Sequence, residues 1–106
     1  MEHSIREEGA SLVVAFSGDV DLEHSPKARE VLLETVGRGK KVLVDLSGVE
    51  YIDSSGVASL VEAYKLAKTR SQELALASVS ASALRVLKLA RLDKVFTIHP
   101  TVADGL

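Results

Sequence analysis

The sequence predicts an α/β fold: a mixed, mostly parallel sheet with an N-terminal antiparallel edge hairpin, and helices packed on it. Three observations carry this prediction. Short apolar runs of strand length recur at residues 12–16, 42–46 and 74–77. Between them lie segments whose apolar residues repeat at i, i+3, i+4 and i+7, the period of a helix with one buried face. Ahead of them, Glu8-Gly9-Ala10-Ser11 has the length and composition of a hairpin turn. Strands that alternate with helices are joined by right-handed crossovers, and crossovers build a parallel sheet.

The elements follow in order. Residues 3–7 are a weak strand ended by Gly9, and residues 12–16 a stronger one, since Leu12, Val13, Val14 and Phe16 are apolar and mostly β-favouring. Ser17-Gly18-Asp19-Val20-Asp21 reads as a loop with two acidic residues. Ser25-Pro26 reads as a helix start, with serine as N-cap and proline in the first helical position. Ala28, Val31, Leu32, Thr35 and Val36 supply the buried stripe, and Gly37 and Gly39 stop the helix. Residues 42–46, broken only by Asp45, suit a strand covered on both faces. A polar turn follows. Asp53-Ser54-Ser55-Gly56 then opens a second helix, whose stripe Val57, Leu60, Val61 and Tyr64 runs on to about Thr69. Residues 74–77 are a third buried strand. Ser80 or Ser82 caps a third helix through Leu84, Leu87 and Ala90, residues 95–98 form a last strand, and His99-Pro100-Thr101 leads into a short C-terminal helix. The span 1–106 reads as a single domain without repeat or linker.

Composition narrows the function. The formal charge is −2, which gives no support to a basic nucleic-acid face. Lys65, Lys68 and Arg70, and likewise Arg85, Lys88 and Arg91, read as the solvated sides of two helices. No cysteine is present, so disulfides and thiolate metal sites are excluded. No apolar run approaches the roughly 20 residues that span a bilayer. The N-terminal residues are polar and acidic, without a signal-peptide core. A cytoplasmic location is expected, with no membrane insertion and no direct nucleic-acid contact. His3, His24 and His99 lie near three different loops and lack metal-ligand spacing. No Gly-x-Ser-x-Gly elbow is present. No catalytic residue, metal or cofactor is therefore expected.

The segment that carries chemistry is Asp53-Ser54-Ser55-Gly56. It places hydroxyls where a strand turns into a helix, beside the partial positive charge of the helix N-terminus, a position suited to a phosphate. A plain N-cap is the bland alternative, and either Ser55 or Asp53 fills that role alone. Two adjacent serines exceed what a cap needs, and the corner follows the carboxyl end of a parallel strand, where open α/β sheets place functional loops.

The residues around this corner resemble the STAS domain in its bacterial anti-anti-sigma-factor form. Val44-Asp45-Leu46-Ser47-Gly48-Val49 followed by Tyr51-Ile52-Asp53-Ser54-Ser55-Gly56 is similar to the family's central motif. Phe16-Ser17-Gly18-Asp19-Val20-Asp21 resembles its first-strand exit, and Leu92-Asp93-Lys94-Val95-Phe96 the segment before its final strand. The resemblance covers nearly the whole chain; its central motif is fairly specific and the outer two are weak alone. It implies a phospho-switch. The unphosphorylated form binds an anti-sigma factor that is also a GHKL-type serine kinase, which frees the sigma factor. Phosphorylation of the serine matching Ser54 ends the binding, and a PP2C-type phosphatase restores it. On this resemblance Ser54 is the acceptor, Asp53 shapes the loop, Ser55 is the helix cap and Gly56 admits a partner closely. Asp19, Asp21, Asp53, Ser54, Ser55, Gly56 and Val57 are the expected partner-binding residues. Ala58, where many relatives carry glycine, and the glycine-free loop Arg70-Ser71-Gln72-Glu73 depart from the pattern and bear on which partner is recognised. The alternative is a constitutively bound accessory subunit of a lipid-transport ATPase or of a larger signalling assembly.

Overall fold

The computed structural model describes residues 1–106. Strand β1 (Glu2–Glu8) and strand β2 (Ser11–Val20) precede helix α1 (Ser25–Gly37); strand β3 (Lys41–Ile52), helix α2 (Ser54–Thr69), strand β4 (Leu74–Ala77) and helix α3 (Ala81–Leu89) follow. A 3-10 turn (Leu92–Lys94), strand β5 (Ile98–His99) and helix α4 (Val102–Gly105) close the chain. The sheet order is β1-β2-β3-β4-β5, antiparallel between β1 and β2 and parallel elsewhere. This is the architecture expected from the alternation of strand and helix.

Strand alternation divides the core in two. Val14, Phe16, Val42, Val44, Leu46, Leu74 and Leu76 pack with Ala28, Val31, Leu32 and Val36 of α1, with Val57, Leu60, Ala63 and Ala67 of α2, and with Ala83 and Leu87 of α3. Val13, Leu43 and Ala75 form a smaller cluster, against which Val102 of α4 packs. The central strands are thus covered on both faces. Helices α1 and α2 are stitched together by Ser59, whose hydroxyl lies 3.2 Å from the carbonyls of both Ser25 and Ser55. An Arg29–Glu62 ion pair adds a second link.

Three expectations are corrected. Residues 17–20 are not a loop, nor residues 47–52 a polar turn: both continue their strands, and they pair with each other through two register shifts, between Ala15 and Ser17 and between Gly18 and Asp19. Polar residues hold this extension because each gains a ladder partner. Gly48 permits it, since a Cβ there would lie 2.8 Å from the Ser17 Cβ. The strand expected at residues 95–98 shrinks to Ile98–His99. The amides of Val95 and Phe96 both bond the Leu92 carbonyl, which winds the chain into a helical turn, and the Phe96 ring packs edge-on against Tyr64 with centroids 5.1 Å apart. Burial of one aromatic outweighs strand pairing there. Finally, Ser25 is not the cap of α1 but its first residue; His24 holds the cap position, and Ser80 caps α3.

Candidate functional site

The carboxyl ends of β2 and β3 lie side by side, with Val20 paired to Ile52, and each strand leads into a helix on the same side of the sheet. Their exits, residues 21–24 and residue 53, therefore meet. Asp53 joins them. It is extended (φ −112°, ψ −173°) and caps α2, so the expected cap at Ser55 is corrected. One carboxylate oxygen, Oδ1, accepts from the Ser55 amide at 3.0 Å, the Gly56 amide at 3.1 Å and the Ser55 hydroxyl at 2.5 Å. The other, Oδ2, accepts from the Leu22 amide at 3.0 Å. Asp53 outcompetes Ser55 because its two oxygens serve the helix and the neighbouring loop together, whereas a hydroxyl reaches only one.

These donors hold the Asp53 carboxyl below the ordinary carboxylate range, the Ser55 hydroxyl contributing most and partial burial opposing. The sign follows from linkage. A depressed folded-state value adds stability that is fully present above the unfolded value and is lost as pH falls through the lowered one. Asp53→Ala is expected to lower stability at neutral pH, because it removes the cap of α2. That difference should shrink as pH drops below about 3.9, the unperturbed Asp value, which urea unfolding of both proteins at a series of pH values would check.

Asp21 organises the other exit. Its carboxylate Oδ1 accepts from the His24 amide at 3.1 Å and meets the His24 Nδ1 at 2.7 Å, and its carbonyl accepts from the Ser25 amide at 2.7 Å. The His24 ring is the main cause of an Asp21 carboxyl held below the usual range. The three histidines belong to separate elements, but His24 converges with Asp21 and Glu23, whose ligand atoms lie within 4.8 Å of one another. The short Asp21–His24 bond brings two of these three groups together at the start of α1.

The other expected residues fall in different environments. Ser54 is the first residue of α2 and is exposed, Ser55 is half-buried with its hydroxyl on Asp53, and Asp19 is exposed at the end of β2. Gly56 and Val57 face inward and are buried. The room that Gly56 leaves is filled from within the chain: a Cβ there would stand 2.3 Å from the Val20 carbonyl oxygen. Two exposed apolar residues also surface at this end and escaped the sequence analysis, Leu22 (75 % exposed) and Tyr51 (52 %). Leu22 sits in a polar run and Tyr51 beside an apparent turn, so neither belonged to a pattern that would single it out.

The fold is shared with known proteins. The model of the STAS domain matches residues 3–105. The chain belongs to the STAS domain family. Within it, the anti-sigma-B factor antagonist of Listeria monocytogenes is 31% identical over 86 residues, covering 80% of this chain and 75% of the relative. An anti-sigma factor antagonist of Mycobacterium paratuberculosis, solved by crystallography, superposes with a TM-score of 0.90 at 24% identity, covering 98% of this chain and 89% of that one. The Bacillus cell fate determinant SpoIIAA in its phosphorylated form superposes with a TM-score of 0.75 at 14% identity, covering 98% and 96%. This STAS domain is thus a member of the anti-sigma factor antagonist family. No helix in it is long and apolar enough to cross a membrane.

Proposed function

We propose that this STAS domain is a phosphorylation-controlled anti-sigma factor antagonist. In its unphosphorylated form it binds an anti-sigma factor that is also a GHKL-type serine kinase, and so frees the sigma factor. The kinase transfers phosphate to Ser54 and the complex dissociates; a PP2C-type phosphatase reverses the step. The observation that carries this reading is the division of labour at Asp53-Ser54-Ser55. The Ser55 hydroxyl is committed to the Asp53 carboxylate, while Ser54 stands exposed on the first turn of α2. A kinase can reach the second without dismantling the first.

The geometry also indicates how a phosphate would act. A bare helix N-terminus would cradle it. Here the Ser55 and Gly56 amides are already taken by Asp53, so a phosphate on Ser54 meets a carboxylate instead of free donors. Its charge of about −1.5 to −2 is presented outward. Buried against the partner, that charge and bulk would cost desolvation and add repulsion from Asp53.

The test is phosphate transfer. The purified protein, incubated with ATP and the candidate kinase of its own organism, is expected to gain one phosphate, mapped to Ser54 by mass spectrometry. Ser54→Ala should abolish it and Ser55→Ala should not. Phosphate on Ser55, or incorporation that survives in Ser54→Ala, would overturn the assignment.

A further inference from the structure

The surface surrounding Ser54 has a chemistry of its own. The strand exits at residues 19–24 and 50–54 contain five carboxylates, Asp19, Asp21, Glu23, Glu50 and Asp53, and no lysine or arginine; the basic residue at this corner, Arg29, shares a surface depression with Ser25 and Ser55 and is paired with Glu62. Among them Leu22 projects an apolar side chain that is 75 % exposed. Scattered exposed leucines are ordinary, and Leu89, at 80 %, is another on α3. Leu22 differs in how its backbone is held. Its amide donates to Asp53 Oδ2 at 3.0 Å, and its carbonyl lies 3.5 Å from the Ser25 hydroxyl. The residues on either side are fixed as well, since Asp21 closes on His24 at 2.7 Å. The fold thus holds a leucine rigidly in water, where it contributes no burial to the core.

Rigid, centrally placed apolar residues are what binding hot spots require, because ordering on association then costs little. We propose that Leu22 is the apolar anchor of the partner interface, and that the partner offers an apolar socket flanked by lysine or arginine side chains. The acidic ring steers approach and Leu22 seats the complex. Asp53 is a positioning residue in this arrangement: one oxygen caps the helix that bears Ser54, and the other fixes the anchor. This inference rests on the proposed function, since the occupant of the surface is the kinase that modifies Ser54.

The probe is therefore that kinase, purified, after mass spectrometry has shown that it phosphorylates Ser54. Its equilibrium binding is measured to the wild type, Leu22→Ala, Leu22→Met, Leu89→Ala and Ser54→Ala. Leu22→Ala is expected to weaken binding at least tenfold, chiefly through faster dissociation. Leu22→Met, which keeps the apolar volume, and Leu89→Ala, which removes equal apolar area elsewhere, should both stay within about threefold of wild type, the spread expected of near-neutral contacts. Association should slow as salt is raised, to the same extent in wild type and Leu22→Ala. If the kinase binds wild type, Ser54→Ala and Leu22→Ala alike, the anchor is overturned while the proposed function stands. If no kinase of the organism modifies Ser54, the proposed function fails and the anchor fails with it.

Discussion

Ser54→Asp is expected to weaken the complex with the kinase at least tenfold, while Ser54→Ala binds as wild type does and cannot be turned off. Tenfold corresponds to about 1.4 kcal/mol. A single carboxylate buried at the interface without a counter-charge supplies that readily, because its lost hydration is not repaid and charges there are poorly screened. Phosphoserine, with nearly twice the charge and more bulk, should act more strongly still. Both substitutions should leave the fold intact. Ser54 is exposed, and surface changes of this kind cost within about 0.5 kcal/mol. Calorimetric titration of the purified kinase with each variant, alongside thermal unfolding, separates binding from folding. Equal affinity of both variants would sink the switch. It would favour the constitutive subunit of a transporter or signalling assembly, for which Ser54 is only a corner residue.

Gly56→Ala is expected to destabilise the domain by about 3 kcal/mol, the upper part of the usual overpacking range. In an ordinary helix the same change would stabilise by up to about 1 kcal/mol, because glycine is a poor helix former. The sign reverses here through lack of space. A Cβ on Gly56 would lie 2.3 Å from the Val20 carbonyl oxygen, 2.7 Å from Ile52 Cγ1 and 3.0 Å from Val20 Cγ1. The closest of these is backbone, fixed in the β2–β3 ladder where Val20 pairs with Ile52. Relief requires the first turn of α2 to lift off the sheet, which pulls Asp53 away from the Leu22 amide. Stability and the geometry of the corner should fall together. Urea unfolding should show a lower midpoint at an unchanged slope, and the melting temperature should drop by roughly 10–20 °C. A Gly56→Ala protein as stable as wild type would show that the close packing of α2 on β2 and β3 does not hold in solution.

Much of this was legible in the sequence, and the boundary is physical. Helix stripes such as Ala28-Val31-Leu32 and apolar runs such as 42–46 are local patterns, and they gave the order of elements and the parallel sheet. The length of β2 and β3 was not local. Ser17, Gly18, Ser47 and Gly48 look like turn residues until another strand lies alongside to take their backbone bonds. The short β5 was likewise decided by where the Phe96 ring could be buried.

The same boundary runs through the site. The residue types and spacing of Asp53-Ser54-Ser55-Gly56 were enough to mark a strand-to-helix corner that carries two hydroxyls. They could not choose the cap, because the choice of Asp53 over Ser55 depends on the Leu22 amide, 31 positions away in the chain. Nor could they show Gly56 to be an internal packing residue, since the atom it avoids belongs to Val20. By itself, the sequence determined the order of strands and helices and which hydroxyls stand at the corner, because hydrophobic periodicity acts within a few residues. Only the tertiary structure decided which groups meet across the β2 and β3 exits, because hydrogen bonds and steric contacts depend on distance in space.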